Sequence, residues 1–490
     1  MSRSTSKKLQ KFTWVTMFFG TVLLVYYLMF SSKSLFGRNE QNSYALYNLR
    51  NENYQREAII NELRRDFAKI ESKIEHFYSK TYRRRSETAH VDCGRILSGD
   101  KDYLQTVSGE NRIPMVENPN PDMSCSAVMD RIIPHDHILR PLKNGVAFAR
   151  IVYKDYELVE KQVQMSYHPQ NSFCFAIDKK APTRFKNQMR AMAACLPNVL
   201  LLPDQEPIDS NGHNVNLAHL NCLRALINKP GWNYAMLLQN HDLLTKSVYE
   251  LEQVYEWLGG ANDVELLPEA QRLDEENFKW DPRSLKMFPD ESKVDETILN
   301  EKIKFSKGGV QGSMSRAAVD WMTRKVNLST YIDQWNQGRW GVDEMLISSL
   351  QISAFLGMPG HFTDQCLKEG KVTDFITRMV QWNFEDESYC ASKYKRHNVC
   401  ILGIEYLRSV ASFPTLMFNK MLPPFDNSII ECTAELLYNR TFMGQNDHPL
   451  EEEYYKNMVT VLYHKHHKEH NYTLNCDPKY TSWQTRQLPL

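Results

Sequence analysis

The chain has 490 residues, of which 42% are hydrophobic and 24% charged, with 59 basic side chains balanced by 59 acidic ones. Zero formal charge argues against a nucleic-acid partner or a polyanion-binding body, and the apolar content is that of a folded protein, not a polytopic membrane protein. The length accommodates two or three ordinary domains or one large catalytic domain, and composition does not choose between them.

Residues 1–11 form a basic tip with Arg3, Lys7, Lys8 and Lys11, followed by one apolar run, Phe12 to Phe30. Nineteen helical residues rise about 28 Å, enough to cross a hydrocarbon core, and the basic flank holds the tip in the cytosol. Residues 12–30 are therefore expected to be a signal anchor of a single-pass type II membrane protein, with everything after Ser31 lumenal or extracellular. A signal peptide cleaved near Ser32 or Ser34 is the competing reading, and the length of the run favours the anchor. Ten scattered cysteines in an oxidising compartment default to disulfides, and none stands in a Cys-x-x-Cys pair that would point to zinc. N-x-S/T sequons at Asn327, Asn439 and Asn471 fit the same compartment and predict surface positions.

Residues 31–90 read as a polar stem. Within it Ile60, Leu63, Phe67, Ile70, Ile74 and Phe77 step by three and four residues, one seam of a helix. That seam suits a coiled-coil homodimer or a single amphipathic helix lying on the body, and both readings stay open.

Residues 91–490 are expected to form the lumenal body. From about Gly145 short apolar runs alternate with helical segments: strand Val146 to Tyr153, a helix through Val159 and Val163, strand Ser172 to Ile177, a helix through Phe185, Met189 and Met192, and strand Asn198 to Leu202. A helix through Leu220, Leu223 and Ile227 and strand Tyr234 to Leu238 follow. Such alternation predicts right-handed β-α-β units and a largely parallel sheet, whose ligands bind beyond the carboxyl ends of the strands. Asp178 and the corner from Asn240 to Asp242 fall at such ends, although a helix cap is the plainer role for Asp178. The acidic stretch from Glu265 to Glu301 reads as a long loop or insertion over the sheet. Lys304 to Ser315 reads as strand and turn, and helices are expected over Ala317 to Lys325 and Asp343 to Phe355. The run His464-Lys-His-His-Lys-Glu-His470 reads as an exposed helical tail, not a metal site. The Asp-x-Asp triplet Asp100-Lys-Asp102 precedes the first strand, out of the strand-end context in which such a triplet would hold a metal.

Several segments in fixed order, Ser172-Phe-Cys-Phe-Ala-Ile-Asp-Lys-Lys-Ala181, Ala193-Ala-Cys-Leu-Pro-Asn-Val199, Leu220-Asn-Cys-Leu223, Val342-Asp-Glu344, Val380-Gln-Trp382 and Arg396-His-Asn-Val-Cys400, resemble the landmarks of the core-2/I-branching β-1,6-N-acetylglucosaminyltransferases, glycosyltransferase family 14. The resemblance spans roughly Cys125 to Cys432. It implies a GT-A-like nucleotide-sugar fold with a mostly parallel central sheet, preceded here by one transmembrane helix and a helical stem, in the Golgi membrane.

It further implies inverting transfer of N-acetylglucosamine from UDP-N-acetylglucosamine to the 6-hydroxyl of an acceptor sugar, without a metal or other cofactor. An inverting transfer needs a base for the acceptor hydroxyl and positive charge for the departing diphosphate. Read alone, Asp343 and Glu344 are first-turn acids or caps after the Gly338-Arg-Trp-Gly341 turn. The resemblance makes Glu344 the base, Arg396 and Lys420 the diphosphate cations, and Asp178 a uridine contact. Glu265, Trp382 and Tyr389 match acceptor positions, the aromatics alternatively being core residues. The basic residues that follow the Glu265 position in core-2 members have no counterpart among Leu273, Glu275 and Glu276, which leaves the acceptor open. The implied disulfides are Cys93–Cys432, Cys125–Cys195, Cys174–Cys222 and Cys390–Cys400, with Cys366 and Cys476 paired, free or intermolecular. The expected partners are a UDP-sugar, a glycoprotein O-glycan acceptor and the membrane. A protein O-xylosyltransferase and a catalytically silent lumenal glycan binder are the alternatives.

Overall fold

The computed structural model describes residues 55–67, 69–70, 82–133, 137–203, 206–268, 277–382 and 390–477. The chain divides into two compact units, residues 1–90 and 91–490. In the first, residues 55–67 are helical, and Ile60, Leu63, Phe67 and Ile70 of the expected seam are exposed, while Ile74 and Phe77 lie outside the described residues.

The expected fold class is corrected at its front end. Among the described residues no helix is long and apolar enough to cross a membrane, and the expected span 12–30 lies outside them. What the structure shows is the α/β body.

That body is built on a six-stranded sheet in the order β3-β2-β1-β4-β7-β6. Its strands are β1 (Gly145–Val152), β2 (Ser172–Ile177), β3 (Val199–Leu201), β4 (Trp232–Leu238), β6 (Asp263–Val264) and β7 (Gly312–Ser315). The first four run parallel, whereas β7 is antiparallel to both β4 and β6. All eight residues of β1 are buried. That is why the strand reads as an unbroken Gly-Val-Ala-Phe-Ala-Arg-Ile-Val run: a central parallel strand is covered on both faces. Helices α1 (Tyr156–Ser166), α2 (Thr183–Cys195) and α3 (Val215–Leu226) make the crossovers. The Cys174–Cys222 disulfide pins α3 to β2, both sulfurs lying in the core.

A second sheet of three short strands has the order β5-β11-β8, from β5 (Leu243–Leu244), β8 (Arg378–Val380) and β11 (Met417–Asn419). A hairpin of β9 (Lys395–Arg396) and β10 (Val399–Cys400) adjoins it. Helix α4 (Val248–Leu258) follows β5, opening on a capping box in which Ser247 and Glu250 satisfy each other's backbone N–H and closing at Gly259 in the left-handed region.

Other sequence expectations also need correction. The segment 277–303 is not a loop lying over the sheet: Trp280, Leu285, Met287, Leu299 and Ile303 are core residues, and the Trp280 ring packs on Trp335 at 4.6 Å and on Phe305 at 5.2 Å. Its apolar residues are spaced irregularly because the backbone is mostly turns, so no period betrays their burial. Of the strand and turn expected over Lys304 to Ser315, the strand is residues 312–315. The helix expected from Asp343 is broken into a 3-10 turn, Val342–Glu344, and a helix α5 (Leu346–Ile352). The histidine-rich tail is not simply exposed, since the ring of His467 stacks on Tyr463 at 4.8 Å and meets His361 at 5.4 Å.

Candidate active site

The strand order reverses direction beside β1: the chain goes from β1 to β2 and β3 on one side, then returns to place β4 on the other. The crevice at the carboxyl ends of β1 and β4 is the place where open α/β sheets bind ligands. Asn240 and His241 build its floor. Asn240 Oδ1 accepts from the backbone N–H of Tyr153 (2.8 Å) and Lys154 (3.2 Å), and His241 Nε2 lies 2.8 Å from Asp155 Oδ2. Burial is the largest single influence on Asp155 and opposes its ionisation, but the His241 hydrogen bond together with the charges of His241 and Lys154 outweighs it and holds the carboxyl below its ordinary range. Asn240 Nδ2 is buried without a protein partner among the described residues. A cavity lined by Lys154, Asp155, Pro182 and Arg184 opens between the segment after β1 and the segment after β2.

Asp242 is fully buried and faces inward. Its carboxylate accepts from Asn419 Nδ2 at 2.6 Å, the Gln239 N–H at 2.6 Å and Gln311 Nε2 at 3.1 Å. Arg150, also buried, donates to the carbonyls of Gln239 (2.8 Å) and Asp242 (2.9 Å), and burial lowers its pKa to about 10. This corner is therefore a brace joining the two sheets, not an open ligand contact. Asp178 Oδ1 accepts from the N–H groups of Lys180 (2.9 Å) and Ile208 (3.4 Å), a turn at the end of β2 and not the helix cap expected for it, since α2 opens after Pro182 with no side-chain cap.

Next to the brace stand the cations. Asn419 ends β11 and passes directly to Lys420, and the Leu402 N–H, just beyond the hairpin, donates to the Lys420 carbonyl at 3.0 Å. The hairpin turns on His397 and Asn398, both in the left-handed region (φ 52° and 60°), a tight two-residue turn that sets Arg396 opposite Val399. The Cys390–Cys400 disulfide closes it. Val399 also bridges Trp382, an indole 43% exposed. The structure therefore gathers Arg396, Lys420 and Trp382 at one end of the second sheet. Burial lowers the Lys420 pKa, and the nearby charges of Arg396 and Arg378 push the same way against Asp242. A cluster of cations that repel one another gains free energy from a bound anion.

The carboxylates are tied to the same place through residues 307–311. The Gly308 N–H donates to the Glu344 carbonyl (2.9 Å), the Gly309 N–H donates to Glu265 Oε2 (2.7 Å), and Lys307 Nζ lies 3.7 Å from Glu344 Oε2. A Cβ on Gly308 would stand 2.0 Å from the Glu265 carbonyl oxygen, so this approach demands glycine. Arg378, on β8, donates to Gln311 Oε1 at 2.8 Å and lies 3.7 Å from Glu265 Oε2. An unbroken set of contacts thus runs from Glu344 through 308–311, Glu265 and Arg378 to Asp242, Asn419 and Lys420. The Glu344 side chain remains 29% exposed.

Tyr389 lies outside the described residues. Sequence reasoning missed Arg378 and Lys307. Arg378 stands two residues ahead of the Val380-Gln-Trp382 landmark in a short strand, and its pairing with Glu265 and Gln311 exists only in the folded chain. The Asp-x-Asp triplet is structural: Asp100 caps the helix Lys101–Val107 and accepts from Arg95 Nε at 2.8 Å. Of the sequons, Asn327 and Asn471 are exposed, whereas Asn439 is half-buried in the helix α6 (Asn427–Phe442).

The chain is similar to known proteins over much of its length. The core-2/I-branching enzyme family model matches residues 146–411. A zebrafish (Danio rerio) β-1,3-galactosyl-O-glycosyl-glycoprotein β-1,6-N-acetylglucosaminyltransferase 4 is 28% identical over 304 residues, 60% of this chain and 69% of the relative. The Bos taurus β-1,3-galactosyl-O-glycosyl-glycoprotein β-1,6-N-acetylglucosaminyltransferase 3 is 22% identical over 382 residues, 72% of this chain and 83% of the relative. The X-ray structure of the mannosyltransferase Ktr4p from S. cerevisiae in complex with GDP covers 57% of this chain and 81% of its own at 11% identity, but its TM-score of 0.23 is too low to bear on the fold.

Proposed function

Because the chain belongs to the core-2/I-branching enzyme family and is a glycosyltransferase, we propose that it transfers N-acetylglucosamine from UDP-N-acetylglucosamine to the 6-hydroxyl of a glycoprotein O-glycan, inverting to a β linkage. The observation that carries this reading is the convergence of a part-exposed carboxylate, Glu344, and the cations Arg396 and Lys420 on one connected cluster. In the proposed reaction Glu344 takes the proton of the attacking hydroxyl. The sugar–phosphate bond breaks on the opposite face of the sugar, and Arg396 and Lys420 offset the charge left on UDP, the role a metal plays in other transferases. Glu265, held by Gly309 and facing Arg378, orients the acceptor sugar, and Trp382 offers it an aromatic face. Asp178 and the end of β1 lie on the uridine side.

The five disulfides favour an oxidising compartment, which for this reaction we take to be the Golgi lumen. The test supplies UDP-N-acetylglucosamine or UDP-xylose with core-1 glycan or peptide acceptors, with and without EDTA. The expected result is N-acetylglucosamine transfer to glycan that survives EDTA and falls by roughly 10²-fold or more in Glu344→Gln, with folding unchanged. Full activity in that variant removes Glu344 from the mechanism, transfer of xylose to peptide changes donor and acceptor, and loss under EDTA removes the metal-free scheme.

A further inference from the structure

The turn that carries Glu344 is gripped by a loop outside the acid–cation cluster. Residues 209–214 run along residues 336–343, and the two are joined by main chain and side chain alike. The Val342 N–H donates to the Asn211 carbonyl (3.2 Å), the Asn214 N–H to Asn336 Oδ1 (3.1 Å), and Asn336 Nδ2 to Asn214 Oδ1 (3.2 Å). Gly212, at φ +96°, packs so closely that a Cβ there would stand 2.1 Å from Asp343 Oδ1. Within this grip His213 faces two acceptors: Nδ1 lies 2.8 Å from Asp209 Oδ2, and Nε2 lies 2.9 Å from the Gly338 carbonyl. A neutral imidazole carries one N–H and satisfies one of them. The imidazolium satisfies both.

We propose that His213 is a positioning residue for transfer: as an imidazolium it ties Gly338 to Asp209 and so fixes the turn from which Glu344 reaches the acceptor, a role that rests on Glu344 being the base. The anionic groups facing the ring are Asp209 on its own loop and Asp343 on the turn, and Arg339, next to the accepting carbonyl, is exposed. The Gly338 hydrogen bond raises the imidazole pKa, modest burial opposes it, and Asp209 and Asp343 add to the rise. A folded-state value above the ordinary one means that the tie is complete below about pH 6.5 and is lost as pH climbs through the raised value. Transfer therefore weakens on the alkaline side, because a loosened turn misplaces the base.

The test measures pH profiles of kcat and KM for the full chain, His213→Gln and His213→Ala, together with ¹⁵N resonances of the imidazole. The expected wild-type kcat falls by roughly tenfold as the ring loses its proton. His213→Gln keeps an N–H for the Gly338 carbonyl and does not titrate, so its kcat loses that alkaline fall. His213→Ala has a low kcat at every pH with KM little changed. The ¹⁵N spectrum shows both ring nitrogens protonated on the acid side of the profile, with one proton lost across the alkaline fall. A singly protonated ring in an active enzyme, or an undiminished alkaline fall in His213→Gln, overturns the role of His213 alone. Absence of transfer by the wild-type chain with every donor overturns the assigned reaction and the positioning role with it.

Discussion

Asp242 shows how a buried charge can be useful without touching substrate. Each of its donors comes from a different piece of chain: Gln239 from the end of β4, Gln311 from the segment before β7, and Asn419 from the end of β11. Asp242→Ala would strand those donors in a dry interior and remove the anion that offsets Lys420. The expected cost is about 2–4 kcal/mol of stability, read as a lower urea midpoint, and transfer by the surviving folded fraction should also fall. Unchanged stability would mean that the corner relaxes to let water in. The sequence marked this corner as a ligand site because it lies at a strand end. Burial reversed that reading, since a carboxylate whose lone pairs are taken by fixed donors has little left to offer. Glu344 and Arg396 were legible only through the order of the surrounding motifs. Arg378 was not, because what distinguishes it is a pair of partners that only folding brings near.

Periodicity located the four parallel strands of the main sheet, because such strands between amphipathic helices carry strong patterns, whereas it missed the two-residue β6. The second sheet left almost no trace, its strands being two or three residues long and meaningful only as they pair. The hairpin beside it illustrates how a short element acquires rigidity. His397 and Asn398 adopt the left-handed conformations of a tight turn, and the Cys390–Cys400 disulfide ties its two arms. Replacing both cysteines by serine frees a short loop, worth about 2–3 kcal/mol in the chain-entropy account. Most of that loss should be local, because Leu402 and Lys420 still hold the far end through the main chain. The variant is expected to keep a melting transition close to wild type while kcat falls roughly tenfold, as Arg396 samples positions away from Lys420. A large drop in melting temperature with unchanged kcat would make the bond a global staple instead.

Four of the five disulfides join distant parts of residues 91–490, Cys93–Cys432 having a sequence separation of 339. Cys366–Cys476 is the bond that the sequence left open, its two cysteines being paired with each other, free or intermolecular on that reading. In the structure it encloses a sequence separation of 110, with both cysteines in the core. Between them lie β8, the cation hairpin, β11, α6 and the helix Val459–His466. Closing a loop of this length removes entropy from the unfolded chain worth about 4–5 kcal/mol at most, and bonds of this kind typically deliver about 2–4 kcal/mol. The loop ends on the Phe362 and Tyr463 rings, 5.0 Å apart, so the tail is docked by packing as well as by sulfur. Replacing both cysteines by serine should therefore lower the urea midpoint by an amount worth about 2–4 kcal/mol, with kcat retained, because the cation pair and Glu344 are held by contacts independent of the bond. The same variant should become susceptible to proteolysis near the carboxyl terminus before the body unfolds, because residues 459–477 would then be held only by packing and by non-covalent ties such as the exposed Lys371–Asp477 ion pair. Cleavage only at the rate of global unfolding would show that the packed tail needs no covalent hold.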